Sequence, residues 1–287
     1  MTGRLTDLLD LVRAPAALTV IGDTLVGATN ARGSAGVSAL PLSTSSACLY
    51  AAGMALNDYA DAELDAVERP ERPIPSGRVA RDTAFKVGAG LTVAGVGLAF
   101  ASRRSSGWIS LALAASIWTY DLVAKPTRFG PVVMAVCRGL DVMMGAAGPG
   151  WRRAIVPAII VAAHTASLTV IARGEVNGTT SATAGATAVA SVGAAAASVV
   201  GAAPHTTAAL LGGAGYLAAA LPSQVAAARQ PDAEHARSAA RASIHAMVPL
   251  QTALVARTGA VAPTALLLAV QAAGRVLARL RSKGDVT

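Results

Sequence analysis

The sequence predicts an all-α fold, a polytopic bundle of transmembrane helices, and three observations carry that prediction. Hydrophobic residues make up 53% of the chain and charged residues only 14%, with a mean hydropathy of +0.52, where an ordinary soluble domain holds about a quarter charged residues. The apolar content comes from small side chains, 68 Ala and 28 Gly, which let helices approach closely in a bilayer. Finally, uncharged runs of roughly 18 residues or more, the length a helix needs to cross the hydrocarbon core, recur along the chain. This composition excludes disorder, which needs low hydrophobicity and high charge, and argues against a water-soluble enzyme. Cys48 and Cys137 both sit in apolar stretches, as buried reduced thiols rather than a disulfide framework.

In chain order, the first span falls near 14–31, interrupted only by Asp23, and the second near 36–57, ending at a run of acids. Arg103 and Arg104 separate spans at 84–102 and 105–122, Lys125 and Arg128 precede one at 130–148, and Arg152 and Arg153 precede one at 154–172, which closes at Arg173. No Asp, Glu, Lys or Arg occurs from Val176 to Ala228, and the Pro204-His205 break divides that stretch into spans at 182–203 and 205–222. Towards the C-terminus, 242–256 is apolar but short and contains His245, Pro249 and Gln251, while 258–274 is a better span followed by Arg275, Arg279, Arg281 and Lys283. About nine spans are expected, ten if both C-terminal segments cross. Residues 1–287 read as a single transmembrane domain without a linker; the longest hydrophilic segments are 58–82 and 229–241.

The net charge of +8 is spread between uncharged runs, so it makes no aromatic-interleaved patch for nucleic acid. It orients the chain instead. With the N-terminus cytoplasmic, the cytoplasmic loops receive Arg69, Arg72, Arg78, Arg81, Lys125, Arg128, Arg173, Arg229, Arg237 and Arg241, and the opposite loops only Arg32, Arg103, Arg104, Arg152 and Arg153. Met1 to Arg13 has no signal-peptide pattern, so an integral protein of the cell inner (plasma) membrane is expected.

Six of the 16 acidic residues fall between Asp58 and Glu71, at the end of the second span. Asn57, Asp61 and Asp65 follow one another at four-residue spacing and lie within roughly 80° on a helix. Like charges so placed repel; Mg²⁺, with a phosphate completing its shell, would relieve that repulsion. The bland alternative is a solvated loop whose acids pair with Arg69, Arg72 and Arg78. Continuation from a membrane helix favours function, because ionisable groups are costly at membrane depth. The Arg72-Pro73-Ile74-Pro75-Ser76-Gly77 segment cannot continue the helix and should turn back, bringing Arg72 and Arg78 to the acids. Carboxylates for metal beside arginines for phosphate oxygens make a diphosphate site.

On these residues the sequence resembles the UbiA-type membrane prenyltransferase family. Its signature Asn-Asp-x-x-Asp-x-x-x-Asp is matched at Asn57, Asp58, Asp61 and Asp65, its Arg-Pro-x-x-Ser-Gly pattern at Arg72 to Gly77, and its Tyr-x-x-x-x-Lys element at Tyr120 and Lys125. The resemblance implies a bundle of about nine spans and Mg²⁺-dependent transfer of a prenyl group from a prenyl diphosphate to an unidentified acceptor within the membrane. It implies that Asn57, Asp61 and Asp65 hold Mg²⁺, that Arg72, Lys125 and Arg173 contact diphosphate oxygens, and that Asp58 orients these groups or the acceptor. The family's second acidic motif is altered: at its place stands Ala172-Arg173-Gly174-Glu175-Val176-Asn177-Gly178, leaving Glu175 as the one carboxylate for a reduced second metal site, or Arg173 as a cation for the diphosphate.

Further candidates lie inside the spans. Arg138 and Asp141 are three apart on one helix face, either neutralising each other or lining a polar cavity beside the diphosphate or acceptor; Tyr120 and Asp121 are read the same way. His164 is expected as a hydrogen-bonded core residue, and no zinc spacing is present. Gly88, Gly90, Gly95 and Gly97 are expected to serve helix packing. Two other functions compete. A secondary transporter or channel would use Asp23, Arg138 and Asp141 as an ion path, but no second half repeats the acidic cluster. A CDP-alcohol phosphotransferase would need Asp-Gly-x-x-Ala-Arg upstream of Asp61, where Met54-Ala55-Leu56-Asn57 stands.

Overall fold

The computed structural model describes residues 2–13, 20–36 and 39–284, and the side chains within residues 5–13, 20–36 and 39–273. The opening of the first predicted span, 14–19, and the basic side chains Arg275, Arg279, Arg281 and Lys283 lie outside the described residues. Among those described there is no strand. The helices are α1 (Thr2–Leu11), α2 (Ile21–Arg32), α3 (Ala39–Ala60), α4 (Ala62–Glu68), α5 (Arg81–Ser102), α6 (Arg104–Thr119), α7 (Gly130–Ala146), α8 (Ile155–Ala172), α9 (Ser181–Val199), α10 (Thr206–Arg229), α11 (Ala233–Ala256) and α12 (Val261–Gly284). A π turn, Tyr120–Ala124, follows α6, and a 3₁₀ turn, Trp151–Ala154, precedes α8.

The described part of each predicted span lies largely on a helix. Among the described residues six helical segments, in α3, α5, α6 with its π turn, α8 with its 3₁₀ turn, α9 and α10, are long and apolar enough to cross a membrane by length and composition, short of the nine expected. Several interior hydroxyls are satisfied locally: Thr29, Thr165 and Thr252 each donate to the carbonyl four residues earlier at 2.8–2.9 Å. Such back-bonding lets hydroxyls sit in helices that have no water to turn to.

The two C-terminal segments differ from expectation. The hydrophilic stretch 229–241 is largely helical, because Asp232 caps α11 by accepting the His235 backbone N–H at 2.8 Å. α11 is therefore one 24-residue helix with Pro249 inside it. Its second half, including Pro249 and Gln251, is buried, which accounts for polar residues in a short apolar run: they face the bundle, not lipid.

α2, α3, α7, α8 and α11 surround the middle of the molecule, with α5 and α6 outside α3 and α7, and α9 and α10 against α8 and α11. The approach of α2 to α7 is set by Gly27, which faces the Val142 carbonyl, and Gly145, which faces the Thr24 backbone; neither position has room for a Cβ. The glycines of α5 divide. Gly88 and Gly95 pack against Leu56 and Leu49 of α3 as expected, but Gly90 and Gly97 have open space and serve no packing contact. The largest core cluster, with Leu25, Val142, Val161, Tyr216, Leu250 and Leu254, joins α2, α7, α8, α10 and α11. A smaller one seats Leu8 and Leu11 of α1 on Ala55, Val79 and Ala84.

Candidate functional site

The acidic run begins inside α3 and crosses into α4 without a break in hydrogen bonding: Asp61 N–H donates to the Asn57 carbonyl at 2.9 Å and Asp65 N–H to the Asp61 carbonyl at 2.8 Å. Asp61 itself sits at φ −86° and ψ 4°, the sparsely populated bridge region in which active-site residues are often found. The four signature side chains separate into two sets. Asn57 Nδ2 donates to Asp61 Oδ2 at 3.3 Å, and Lys125 Nζ donates both to Asn57 Oδ1 at 3.2 Å and to Asp61 Oδ2. Asp58 accepts Arg13 at 2.9 Å and Arg72 at 3.4 Å, and Arg72 also donates to Asp65. Helical geometry explains the division. Asp58 and Asp65 are seven residues apart, within about 20° of each other after two turns, whereas Asn57 and Asp65 are about 80° apart.

The Pro-rich turn folds back as its sequence requires and delivers Arg72 to the acids. Arg78 goes elsewhere, donating to Asp7 and Asp10 of α1, both at 3.0 Å. The two carboxylates hold the exposed Arg78 guanidinium above its ordinary pKa through these hydrogen bonds. α1 supplied a nearer pair of acids than the motif did.

Lys125 is placed by the π turn Tyr120–Ala124 that ends α6; a wide turn of this kind re-aims the chain locally and frequently marks functional positions. Its N–H donates to the Tyr120 carbonyl at 2.9 Å. Tyr120, Asp121 and Lys125 thereby face α3 across a cavity of about 430 Å³. The same cavity is lined by Asn57, Arg138 and Asp141 and, on its apolar walls, by Leu49, Leu113, Ile117, Met134, Leu168 and Met247. Two poles result. One holds Asn57, Arg13 and Lys125, with Asp61 bonded to the last. The other, deeper along α3 and α7, holds Ser46, Tyr50, Arg138 and Asp141.

Of the two readings of Arg138 and Asp141, mutual neutralisation does not occur, whereas both side chains line the cavity. Arg138 pairs with Asp23 of α2 at 2.9 Å, and Gln251 Nε2 donates to the same carboxylate at 2.7 Å. Asp141 accepts the Ser46 hydroxyl at 2.6 Å instead. Asp23, fully buried on a neighbouring helix, takes the guanidinium, which offsets the cost of burying its charge. His164 is a core residue as expected, bonded to the Tyr216 hydroxyl at 2.8 Å and the Ser243 carbonyl at 3.1 Å.

Arg173 lies outside the cavity lining, donating to the Thr127 carbonyl, and Glu175 is engaged through its backbone carbonyl, which accepts Arg237 at 2.6 Å. Among the described residues no group of three or more His, Cys, Asp or Glu side chains is close enough to enclose a metal, so Glu175 is not joined to Asp61 and Asp65. The oxygens of Asn57 and Asp61 nonetheless converge on a cation, the Lys125 ammonium. Hard oxygens in that number fit Mg²⁺, which is usually held by one or two carboxylates together with substrate phosphates and waters. Sequence reasoning missed Arg13, whose signal was only a loop charge, and Ser46 and Tyr50, which carry none.

A bilayer-compatible helical bundle enclosing a cavity with acids and cations at its mouth defines a polytopic membrane protein with a site suited to a diphosphate. The model of the UbiA prenyltransferase family matches residues 18–248, and the chain belongs to that family. It is similar to the digeranylgeranylglyceryl phosphate synthase of Ignicoccus hospitalis, 37% identical over 126 residues that cover 44% of this chain and 41% of the relative. The enzyme of the same name from Methanopyrus kandleri is 36% identical over 129 residues, covering 45% and 46%. The chain thus spans under half the length of these curated relatives in alignment. A solved structure from work on digeranylgeranylglyceryl phosphate synthase in membranes superposes with a TM-score of 0.63 at 17% identity, covering 89% of this chain and 98% of that one. It shares the fold.

Proposed function

We propose that the chain transfers a prenyl group from a prenyl diphosphate to an acceptor within the membrane, in a Mg²⁺-dependent reaction. The observation that carries this reading is the Asn57–Asp61–Lys125 cluster at the mouth of a largely apolar cavity. Lys125, a compact point charge, and Arg13 and Arg72, with planar donor forks, are the cations suited to diphosphate oxygens. Asn57 and Asp61 would hold Mg²⁺, with Asp65 one turn further along. Bound there, Mg²⁺ supplies charge stabilisation for the departing diphosphate. Asp58 ties Arg13, which lines the cavity, and Arg72 to one carboxylate through its two ion pairs.

The apolar walls take the isoprenoid chain and keep water from its reactive allylic carbon. The bond from that carbon to the diphosphate oxygen breaks, its electron pair leaving with the diphosphate. The acceptor contributes the pair for the new bond and releases a proton. Arg173, held on the outer side of the 125–130 loop, and Glu175 are retained as peripheral candidates for the diphosphate and metal. With the N-terminus cytoplasmic, this mouth opens to the cytoplasm. The relatives named digeranylgeranylglyceryl phosphate synthase support prenyl transfer as the reaction class. The test is incubation of the membrane-embedded protein with Mg²⁺, prenyl diphosphates of several lengths and a cell extract, followed by mass spectrometry. Diphosphate release with a new prenylated lipid is expected; flux of a solute without consumption of prenyl diphosphate would point to the transporter instead.

A further inference from the structure

We infer that the end of the bundle remote from the acidic motif carries a binding site for the phosphate of an anionic membrane lipid, built on Arg32 and Arg103. It stands apart from the prenyl-transfer reading. α2, α5 and α7 all finish at this end, at Arg32, Ser102 and Ala146. The stretches that make its turns, 24–57, 83–120 and 142–174, contain no Asp or Glu. They bring Arg32, Arg103, Arg104, Arg152 and Arg153 there instead.

Two of these arginines are built into the fold. Arg32, half-buried, donates to the Gly145 carbonyl at 3.0 Å and to the Ala147 carbonyl at 3.5 Å. The Arg103 guanidinium lies against the next residue, Gly148, where a Cβ would come within 2.7 Å of its Nη1. Gly148 also takes φ 111°, so glycine is the residue that leaves the guanidinium this place. Both side chains therefore border one short loop. Partial burial, and then the Arg103 charge, push Arg32 below its ordinary pKa; the pair repel, and the turns around them offer no carboxylate. Helix dipoles do not supply the missing charge. α3 and α6 begin at this end where α2 and α5 finish, so their terminal partial charges of about half a unit offset one another. Two neighbouring guanidiniums with planar donor forks match the oxygens of one phosphate.

The surroundings select a lipid over a free phosphate. Close to the arginines the outward faces of α6 and α8 are apolar, with Trp108, Leu111, Val156 and Ile159 all exposed. Trp151, also exposed, stands beside Arg152, whose guanidinium is 5.7 Å from its ring centroid, and Trp at the ends of membrane helices sits at headgroup level. A phosphate held by Arg32 and Arg103 thus has apolar surface below it for acyl chains. A zwitterionic headgroup would return a cation to the pair, whereas a net negative one neutralises it.

Binding tests this directly. The full chain in neutral detergent is titrated with phosphatidylglycerol, phosphatidylcholine and soluble glycerol phosphate; bound lipid is counted by native mass spectrometry and thermal unfolding is followed. Phosphatidylglycerol should bind and raise Tm, and Arg32→Gln/Arg103→Gln should weaken it roughly tenfold or more, as loss of charge-assisted hydrogen bonds requires. Arg103→Gln alone, a change at an exposed side chain, carries the comparison should the double variant fail to fold. Arg229→Gln/Arg241→Gln removes the same charge from exposed positions towards the opposite end and should leave lipid binding unchanged. Absence of phosphatidylglycerol binding, equal binding of phosphatidylcholine, or an equal loss in both double variants overturns the inference. Equal stabilisation by glycerol phosphate overturns it in favour of a soluble phosphate.

Discussion

Asp61 and Asp65 are the residues on which the proposed chemistry depends most, and they differ in what holds them. Asp61 keeps Lys125 at the cavity mouth, while Asp65 is tied to Arg72 on the neighbouring face. Asp61→Ala should therefore lower prenyl transfer on the order of 10²-fold or more, as expected when one preorganised electrostatic partner of the leaving group is removed. Asp65→Ala should act in the same direction, and both variants should still insert into membranes. Steady-state diphosphate release, with membrane fractionation as the control, measures both. Full Mg²⁺-dependent activity in either variant would sink the assignment. Arg138 makes a different prediction. Replacing it with Met strands the buried Asp23 and should cost about 3–5 kcal/mol, whereas the Asp23→Leu/Arg138→Met double variant should recover most of that, because a buried ion pair gives little net stability over apolar packing. Denaturation in detergent of the two variants decides it.

The motif residues were legible because their spacing has a fixed meaning on a helix: Asn57, Asp61 and Arg72 meet partners that a 3.6-residue period and a Pro-rich turn bring near. The ion-pair partner of Arg138 was not legible, for an equally physical reason. That partner is 115 residues away on α2, and nothing local encodes which neighbouring helix will offer a carboxylate. Arg13 and Ser46 were invisible alone, since one reads as a loop charge and the other as a small helical residue.

Among the elements, α11 shows how a boundary can be set by a single side chain. Asp232 accepts the His235 N–H and contacts its ring at 2.9 Å, and the His235 backbone and side-chain hydrogen bonds hold the Asp232 carboxyl below its ordinary value of 3.8. A carboxyl depressed in the folded state stabilises the protein above that ordinary value and loses its contribution as pH falls through the depressed one. Asp232→Ala should accordingly increase amide exchange over the first turn of α11 at neutral pH, and acidification below about pH 4 should do the same in the wild type but not in the variant. Hydrogen-exchange mass spectrometry over 233–237 reads both. The π turn after α6 belongs at this scale too: five residues re-aim Lys125 towards α3, a bend that hydropathy cannot report because it changes no side chain's polarity.

For the molecule as a whole, the proposal gives dispersed basic residues and concentrated acids separate duties, orientation and site. Cytoplasmic placement of the 58–82 segment predicts that a cysteine introduced at the exposed Glu68 will react with an impermeant maleimide only in inverted vesicles, and one at the exposed Arg152 only in right-side-out cells. The opposite pattern would reverse the topology.

The sequence by itself determined the helical bundle, because long uncharged runs can cross a membrane only as helices, and it located the first acidic motif, because the four-residue spacing survives the α3–α4 junction in backbone hydrogen bonding. Tertiary structure decided the rest. It chose Asp23 for Arg138, left Asp141 with Ser46, carried Arg78 to α1, and enclosed a cavity with two polar ends. Each of those outcomes depends on which helices are neighbours, and neighbours are selected by small residues such as Gly27 and Gly145 that permit close approach. Their influence is steric and long-range, so it is felt only once the chain is packed.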